Sequence, residues 1–354
     1  MAGIENVTNT VPSFEDADSE YAWEYTRNGD YDEADDADDN CSLFSVETCS
    51  SASSISRSSN TANYRFENNR RYQSFREDWP LPNDEQEQDR MQILDQMLSL
   101  RLNQQLHLVP LEQPKRILDV GTGTGVWAID MADKFPNARI IGTDLSPIQV
   151  AGPVNCTFEI EDANDEWLYP PNYFSLVHSR FLLGGINDWP TFFSEAYRTL
   201  HPGGWLELQD DPGKLYTDNA STPLSTLAIT RATSCFSSFL TSQGRASGEE
   251  LFTFDALMRA AGFVDVELTR HNIPLGAWSK ESATEQEIGT LNMLSALEGV
   301  DAYIFACVDP GEAEALARQA KRDITNKKLE LYTTFVVLKG RKPVGCETLP
   351  AVHP

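Results

Sequence analysis

Three carboxylates and a run of glycines are the residues of this chain best suited to chemistry. Residues 117–125, ILDVGTGTG, set a glycine-rich turn between an apolar strand pattern and an amphipathic helix pattern. In an open parallel sheet, ligands bind beyond the carboxyl ends of the strands, and glycine lets them approach the backbone without a Cβ in the way. Asp119 lies at the mouth of this first strand. Asp144, followed by Leu145, ends the second strand pattern, and Asp162, followed by the small Ala163, ends the third. A nucleotide-like ligand belongs at such a site. No Gly-Lys-Ser/Thr follows the glycines, which excludes a Walker-type triphosphate loop.

The glycines by themselves admit two registers. Gly123, Gly125 and Ala128 satisfy the dinucleotide pattern G-x-G-x-x-G/A, with Asp144 near the distance that suits a ribose diol. That register puts Gly121 inside the strand and Asp119 in its buried stretch, where an unpaired carboxylate is costly. A register beginning at Gly121 puts Asp119 beside the turn, facing a cationic ligand. S-adenosylmethionine is such a ligand, with an ammonium and a sulfonium and no pyrophosphate. Asp144 then accepts from both ribose hydroxyls, Asp162 accepts from the adenine amino group, and Ala163 leaves room for the ring. The bland alternative is three solvated caps at helix entrances. Three carboxylates on successive strand ends are a more specific signal than the glycines.

Transfer of a sulfonium methyl is an in-line displacement whose leaving group needs no proton, so positioning does most of the work and no catalytic dyad is required. If the acceptor is a phenol, carboxylate or amine, a general base helps; His178, His201 and Asp210 are the nearest candidates on strand-end loops. For His178 and His201 the competing readings are a packed, cofactor-flanking residue and a histidine at a helix terminus.

The elements that must hold these residues follow from periodicity. Apolar strands at 116–120, 139–143, 157–161, 174–178 and 205–209 alternate with helical patterns, the signature of a parallel sheet. One helix carries Val126, Ile129 and Ala132; another runs over 189–200 and stops at His201, Pro202, Gly203 and Gly204. Farther on, 254–261 reads as a helix closed by Gly262, 264–269 as a strand, 281–322 as helical and 331–338 as a strand. Ahead of the sheet, Asn83 can cap a helix with Gln86 answering three residues later, and Met91, Leu94, Met97, Leu98 and Leu102 form its buried stripe. Segments 211–244 and 276–308 are expected to cover the strand mouths and supply the acceptor pocket, with Phe236, Phe239, Trp278, Met293, Leu294 and Tyr303 as its apolar side chains.

The chain has 354 residues with 54 acidic and 28 basic side chains, a formal charge of -26. Such a balance repels a phosphate backbone, so direct nucleic-acid binding is not expected. Residues 1–60 hold fourteen acidic side chains against Arg27 and Arg57 and end in a serine-rich run. The expectation is a disordered tail over 1–63, a solubilising leader or an arm for protein partners, and a disordered terminus over 344–354. No membrane-spanning stretch or signal core is seen, and a cytoplasmic location is expected. The six cysteines lack a C-x-x-C pair and the five histidines lack metal-ligand spacing, so reduced thiols and no metal are expected.

Residues 116–149, RILDVGTGTGVWAIDMADKFPNARIIGTDLSPIQ, resemble the cofactor core of class I S-adenosylmethionine-dependent methyltransferases, and specifically the fungal LaeA-like group. The likeness continues through FEIEDANDEWLYPPNYFSLVHSRFLLGGINDWP, LHPGGWLELQD and IPLGAWSKE, with ENNRRYQ and LPNDEQEQDR ahead of the core, and covers 64–343. The resemblance implies an α/β Rossmann-like fold, a seven-stranded mostly parallel sheet with its last strand antiparallel, helices on both faces and a helical substrate cap. It implies contacts to S-adenosylmethionine from Asp119, Gly121, Gly123, Gly125, Asp144, Leu145, Asp162 and Ala163, and places His178 and Arg180, both catalytic candidates, after the fourth strand where the family has its substrate-facing loop. Asn69 and Gln73 depart from the family's usual Gly and His, which puts a lid role for the leading segment in doubt. The expected activity is methyl transfer to a small organic acceptor in fungal secondary metabolism. The alternative is a LaeA-like regulator that works through protein partners, with a nuclear location.

Overall fold

The computed structural model describes residues 64–76 and 78–345. The expected disorder of 1–63 lies outside these residues, as does that of 346–354; Val344 and Gly345 form a turn.

A hairpin, β1 (Arg65–Glu67) and β2 (Arg70–Tyr72), leads into helix α1 (Glu85–Arg101). The cap of α1 is Asp84, whose carboxylate accepts from the Glu87 amide, one residue later than the sequence suggests. Asn83 is drawn away because its side-chain amide donates to Ser146 at the end of the sheet, 3.1 Å distant, and Asp84 also takes both arms of Arg70. A side-chain cap of this kind is worth about 1 kcal/mol.

The sheet then builds outward from β3 (Arg116–Val120), through α2 (Val126–Lys134) to β4 (Arg139–Asp144) and β5 (Cys156–Ile160) on one side. The chain returns to place β6 (Phe174–Arg180) on the other side of β3, and α3 (Trp189–Thr199) leads to β7 (Leu200–Asp210). These five strands are parallel. A short β8 (Tyr216–Thr217) precedes α4 (Ala228–Ser242), α5 (Phe254–Ala260) and β9 (Val264–Pro274). Helices α6 (Ala283–Cys307) and α7 (Pro310–Thr325) follow, and β10 (Leu331–Arg341) runs antiparallel between β7 and β9. β8 pairs with Leu331 and Tyr332 on the edge of β10 that β7 uses farther along, so it continues the β7 column and the sheet has seven columns. The helical stretch expected over 281–322 is divided into two helices at Val308–Asp309–Pro310, because Asp309 caps and Pro310 opens α7.

Alternation along the strands sends apolar side chains to both faces, as a doubly covered sheet requires. Ile117, Ile140 and Leu176 pack with Trp127 and Met131 of α2; Leu118, Ile141, Val177 and Leu206 pack with Phe192, Phe193 and Phe254 from α3 and α5. Helices α4, α6 and α7 form a cap with a core of its own around Ile304, Leu316 and Ala320. α1 joins β9 and β10 through Leu98, Ile273, Phe335 and Val337.

Candidate active site

The turn after β3 holds Gly121, Gly123 and Gly125 at φ of +72°, +58° and +83°, the left-handed region open to glycine. The amides of Gly121 and Thr122 donate to the carbonyl of Thr143, which ties the turn to the end of β4. A cavity of about 210 Å³ opens there, and Asp119, Gly121, Gly123, Asp144, Leu145, Asp162 and Ala163 all line it. Gly125 does not. It caps α2, and a Cβ on it would meet the Phe158 ring at 2.6 Å, so its glycine serves packing below the turn.

Each carboxylate is held by partners from the protein itself. Asp119 is buried; its Oδ1 lies 2.7 Å from Nδ1 of His178 and its Oδ2 accepts from the Thr122 hydroxyl at 2.6 Å. Asp144 accepts from the amides of Gly123 and Ser146, both at 2.9 Å. Burial pushes its carboxyl up to about 6, although those amides pull it down. Asp162 accepts from the backbone amide and the side chain of Asn164, and Arg76 stands 3.5 Å away.

The leading segment forms the opposite wall, with Trp79, Leu81, Pro82, Asn83 and, from α1, Arg90, Met91, Leu94 and Asp95. Ion pairs hold the start of this strap: Arg76 reaches Asp78 and Asp162, and the fully buried Arg245 side chain pairs with Asp78 while lying over the Trp79 ring. Sequence reasoning missed this wall. Met91 and Leu94 share the helical spacing of Met97 and Leu98, but only the latter two are buried in the core. Spacing alone does not distinguish a core stripe from a cavity wall.

A second chamber, of about 310 Å³, adjoins the first through the shared residues Trp79, Leu81, Arg90, Leu94 and Phe181. Phe236 and Tyr303 line it, but of the expected apolar side chains Phe239, Trp278, Met293 and Leu294 do not. Its acidic residues are Asp210 and Asp211 at the end of β7. Burial pushes the Asp210 carboxyl up to about 7 and that of Asp211 up to about 6. Asp210 accepts amides from Leu182 and Leu183, both at 2.8 Å, and from Asp211, and thereby fixes the turn that separates the two cavities.

The remaining catalytic candidates, His178, His201 and Arg180, fall elsewhere or are already engaged. His178 is fully buried within β6, stacked on Trp127 at 3.6 Å between ring centres, and lines neither cavity. Register places it beside Asp119 and Glu207 on one sheet face, so it backs Asp119 from below. His201 sits at the amino end of β7, the end of the sheet away from the cavities, with Nδ1 against the Pro202 carbonyl. Arg180 lines the first cavity, but its guanidinium is engaged by Asp95 at 2.7 Å and Gln209 at 3.0 Å. Among the described residues no group of three or more His, Cys, Asp or Glu is placed to hold a metal ion, and no helix is long and apolar enough to cross a membrane.

Comparison with known proteins bears on this geometry. A family model for a methyltransferase domain matches residues 94–268. The methyltransferase pytC of Aspergillus terreus is 34% identical over 84% of this chain and 94% of its own length. The chain belongs to this methyltransferase family. It is an enzyme of the methyl-transferring class. The chain is also similar to the secondary metabolism regulator LAE1 of Cochliobolus heterostrophus, 31% identical over 80% of this chain and 95% of its own, and to laeA of Aspergillus flavus, 29% identical over 82% and 80%. The family-model match begins at Leu94, inside α1, so most of the strap that walls the first cavity lies ahead of the residues it matches.

Proposed function

We propose that the cavity at the ends of β3, β4 and β5 binds S-adenosylmethionine and that the adjoining chamber receives a small organic methyl acceptor. The observation that carries this is the convergence of Asp119, Asp144 and Asp162, from three successive strand ends, on one cavity floored by the glycine turn. The residues suit the ligand. Each oxygen of Asp119 has one protein partner, which leaves a lone pair apiece for an ammonium. Asp144 meets the ribose diol, Asp162 the adenine amino group, and Ala163 and Leu145 flank the ring. A Cβ on Gly123 would come within 3.4 Å of Met91 Sδ on the facing wall and narrow the cleft.

When bound, the sulfonium supplies an electrophilic methyl group. The protein's part is to fix the direction of attack and exclude water: Phe181, Leu94 and Trp79 form the apolar passage between the cavities, and Asp210 holds the turn beside it. Titration calorimetry with S-adenosylmethionine or S-adenosylhomocysteine tests the reading. Folded protein that binds neither, or that is stabilised by NADH instead, ends it.

A second reading is supported by the relatives named as secondary metabolism regulators: a regulator that acts through protein partners recruited by the acidic tail. It predicts that deletion of residues 1–60 strips partners captured by affinity purification; an unchanged partner set with intact turnover counts against it. The biosynthetic reading goes with a cytoplasmic enzyme, the regulatory one with a nuclear protein.

A further inference from the structure

We propose that the second chamber takes an apolar acceptor bearing an acidic hydroxyl, a phenol or an enol, and that Asp211 receives the hydroxyl proton as the oxygen is methylated. This rests on the reading of the neighbouring cavity as the S-adenosylmethionine site and goes beyond it to the acceptor and the base.

The walls set the body of the acceptor. Phe181, Leu183, Ile229, Phe236, Leu275 and Val300 enclose the chamber from the turn after β6, α4, the residue following β9, and α6. The charges set its functional group. Asp210 and Asp211 face the chamber, and its cation, Arg90, is already bound by Glu87 at 2.6 and 2.9 Å. Carboxylates outnumber free positive charge, so a carboxylate or phosphate acceptor is repelled. An ammonium would be attracted, yet the same carboxylates hold its proton in place and deny it the lone pair that attacks. A neutral hydroxyl escapes both problems: it donates to a carboxylate on binding and loses that proton as it reacts.

Geometry separates the two acids. Asp210 has three backbone amides on its carboxylate and is 7% exposed, the pattern of a structural staple. Asp211 is half-buried, with one amide, from Gly213 at 2.6 Å, and the Thr333 hydroxyl. It therefore retains lone pairs toward the chamber. Burial raises its proton affinity toward neutrality, which suits a group that takes up a proton in one half of the cycle and releases it in the other. In the step itself the acceptor O–H bond breaks and its proton passes to an Asp211 oxygen. The oxygen pair forms the new O–CH₃ bond while the S–CH₃ bond breaks and its electrons remain on sulfur. The proton then leaves Asp211 to water when the ether departs.

The test uses full-length protein and three probes with one apolar body, 2-naphthol, 2-naphthylamine and 2-naphthoate. Calorimetry in saturating S-adenosylhomocysteine is expected to show naphthol binding at least about tenfold more tightly than either analogue. Methyl-labelled S-adenosylmethionine is expected to place label on the naphthol oxygen. Asp211→Asn is expected to retain naphthol affinity within about threefold while lowering transfer by about 100-fold or more, with partial recovery in Asp211→Glu. Preference for the amine or carboxylate, equal binding of all three, binding of none, or near-normal transfer by Asp211→Asn each overturns the proposal. In those four cases S-adenosylhomocysteine still binds and the cofactor reading survives; failure of S-adenosylhomocysteine itself removes both.

Discussion

The two cavities of this methyltransferase are built on opposite principles. The cavity at β3–β5 is lined by polar groups fixed by strand ends and backbone amides, most of them between Asp119 and Asn164, with the strap, α1 and the turn after β6 closing the other sides. The chamber behind Phe181 is assembled from the end of β7, three helices and a strand end, and most of its wall is apolar. A polar grip needs particular residue types at particular positions. An apolar wall needs only bulk and shape, which many sequences supply. The first is therefore sensitive to single atoms, the second to volume.

The largest expected effect breaks the first cavity at its base. Gly125→Val forces a β-branched residue to φ +83° and drives Cβ into Phe158, so about 2 to 4 kcal/mol of stability should be lost, read as a shift in the urea midpoint. An unchanged midpoint would mean the turn yields easily. Next, Asp144→Ala should weaken S-adenosylhomocysteine binding by about 1 to 3 kcal/mol in calorimetry while naphthol-type ligands still enter the chamber. Wild-type cofactor affinity in that variant would show that the diol sits elsewhere.

Acidity sharpens the contrast. Burial raises the Asp144 carboxyl to about 6, so the folded protein holds that proton more tightly than the unfolded chain does. Its contribution to stability is full below about pH 4 and is lost as pH rises through about 6. Cofactor affinity runs the other way, because a protonated carboxyl cannot accept from both hydroxyls: it should fall by up to about tenfold per pH unit below 6. Paired calorimetry and thermal melts from pH 5 to 8 check the two opposite slopes. The smallest effect concerns the strap shared by both cavities. Asp78 is half exposed and screened by water, so Asp78→Ala should weaken cofactor binding by about 1 kcal/mol or less. Faster hydrogen exchange across the strap is the accompanying readout.

The residues at issue explain why one cavity was legible and the other was not. Asp144 ends β4, and Asp119 and Asp162 stand within two residues of the ends of β3 and β5, where period-two alternation stops and a turn begins, so their placement could be deduced from the pattern around them. Phe236 and Tyr303 face the chamber while Phe239 and Leu294, at equally plausible positions on the same helices, do not; which side of α4 and α6 looks inward depends on how the cap packs. The base candidates show the same divide. His178 and Asp210 share the strand-end neighbourhood, but one ring is sealed beneath Asp119 and the other carboxylate staples a turn.

Local order was written in the sequence: the alternation of strands and helices, the glycine turn, and the row of acids at three consecutive strand tips. These follow from backbone geometry, which acts over a few residues at a time. Only the tertiary structure decided that α1 and the strap close the first cavity, that Arg76 and Arg245 pin that strap, and that Asp210 carries three backbone amides where Asp211 carries one. Those outcomes depend on contacts between segments tens to more than a hundred residues apart, such as Arg245 with Asp78, and such contacts leave no periodicity for a sequence to display.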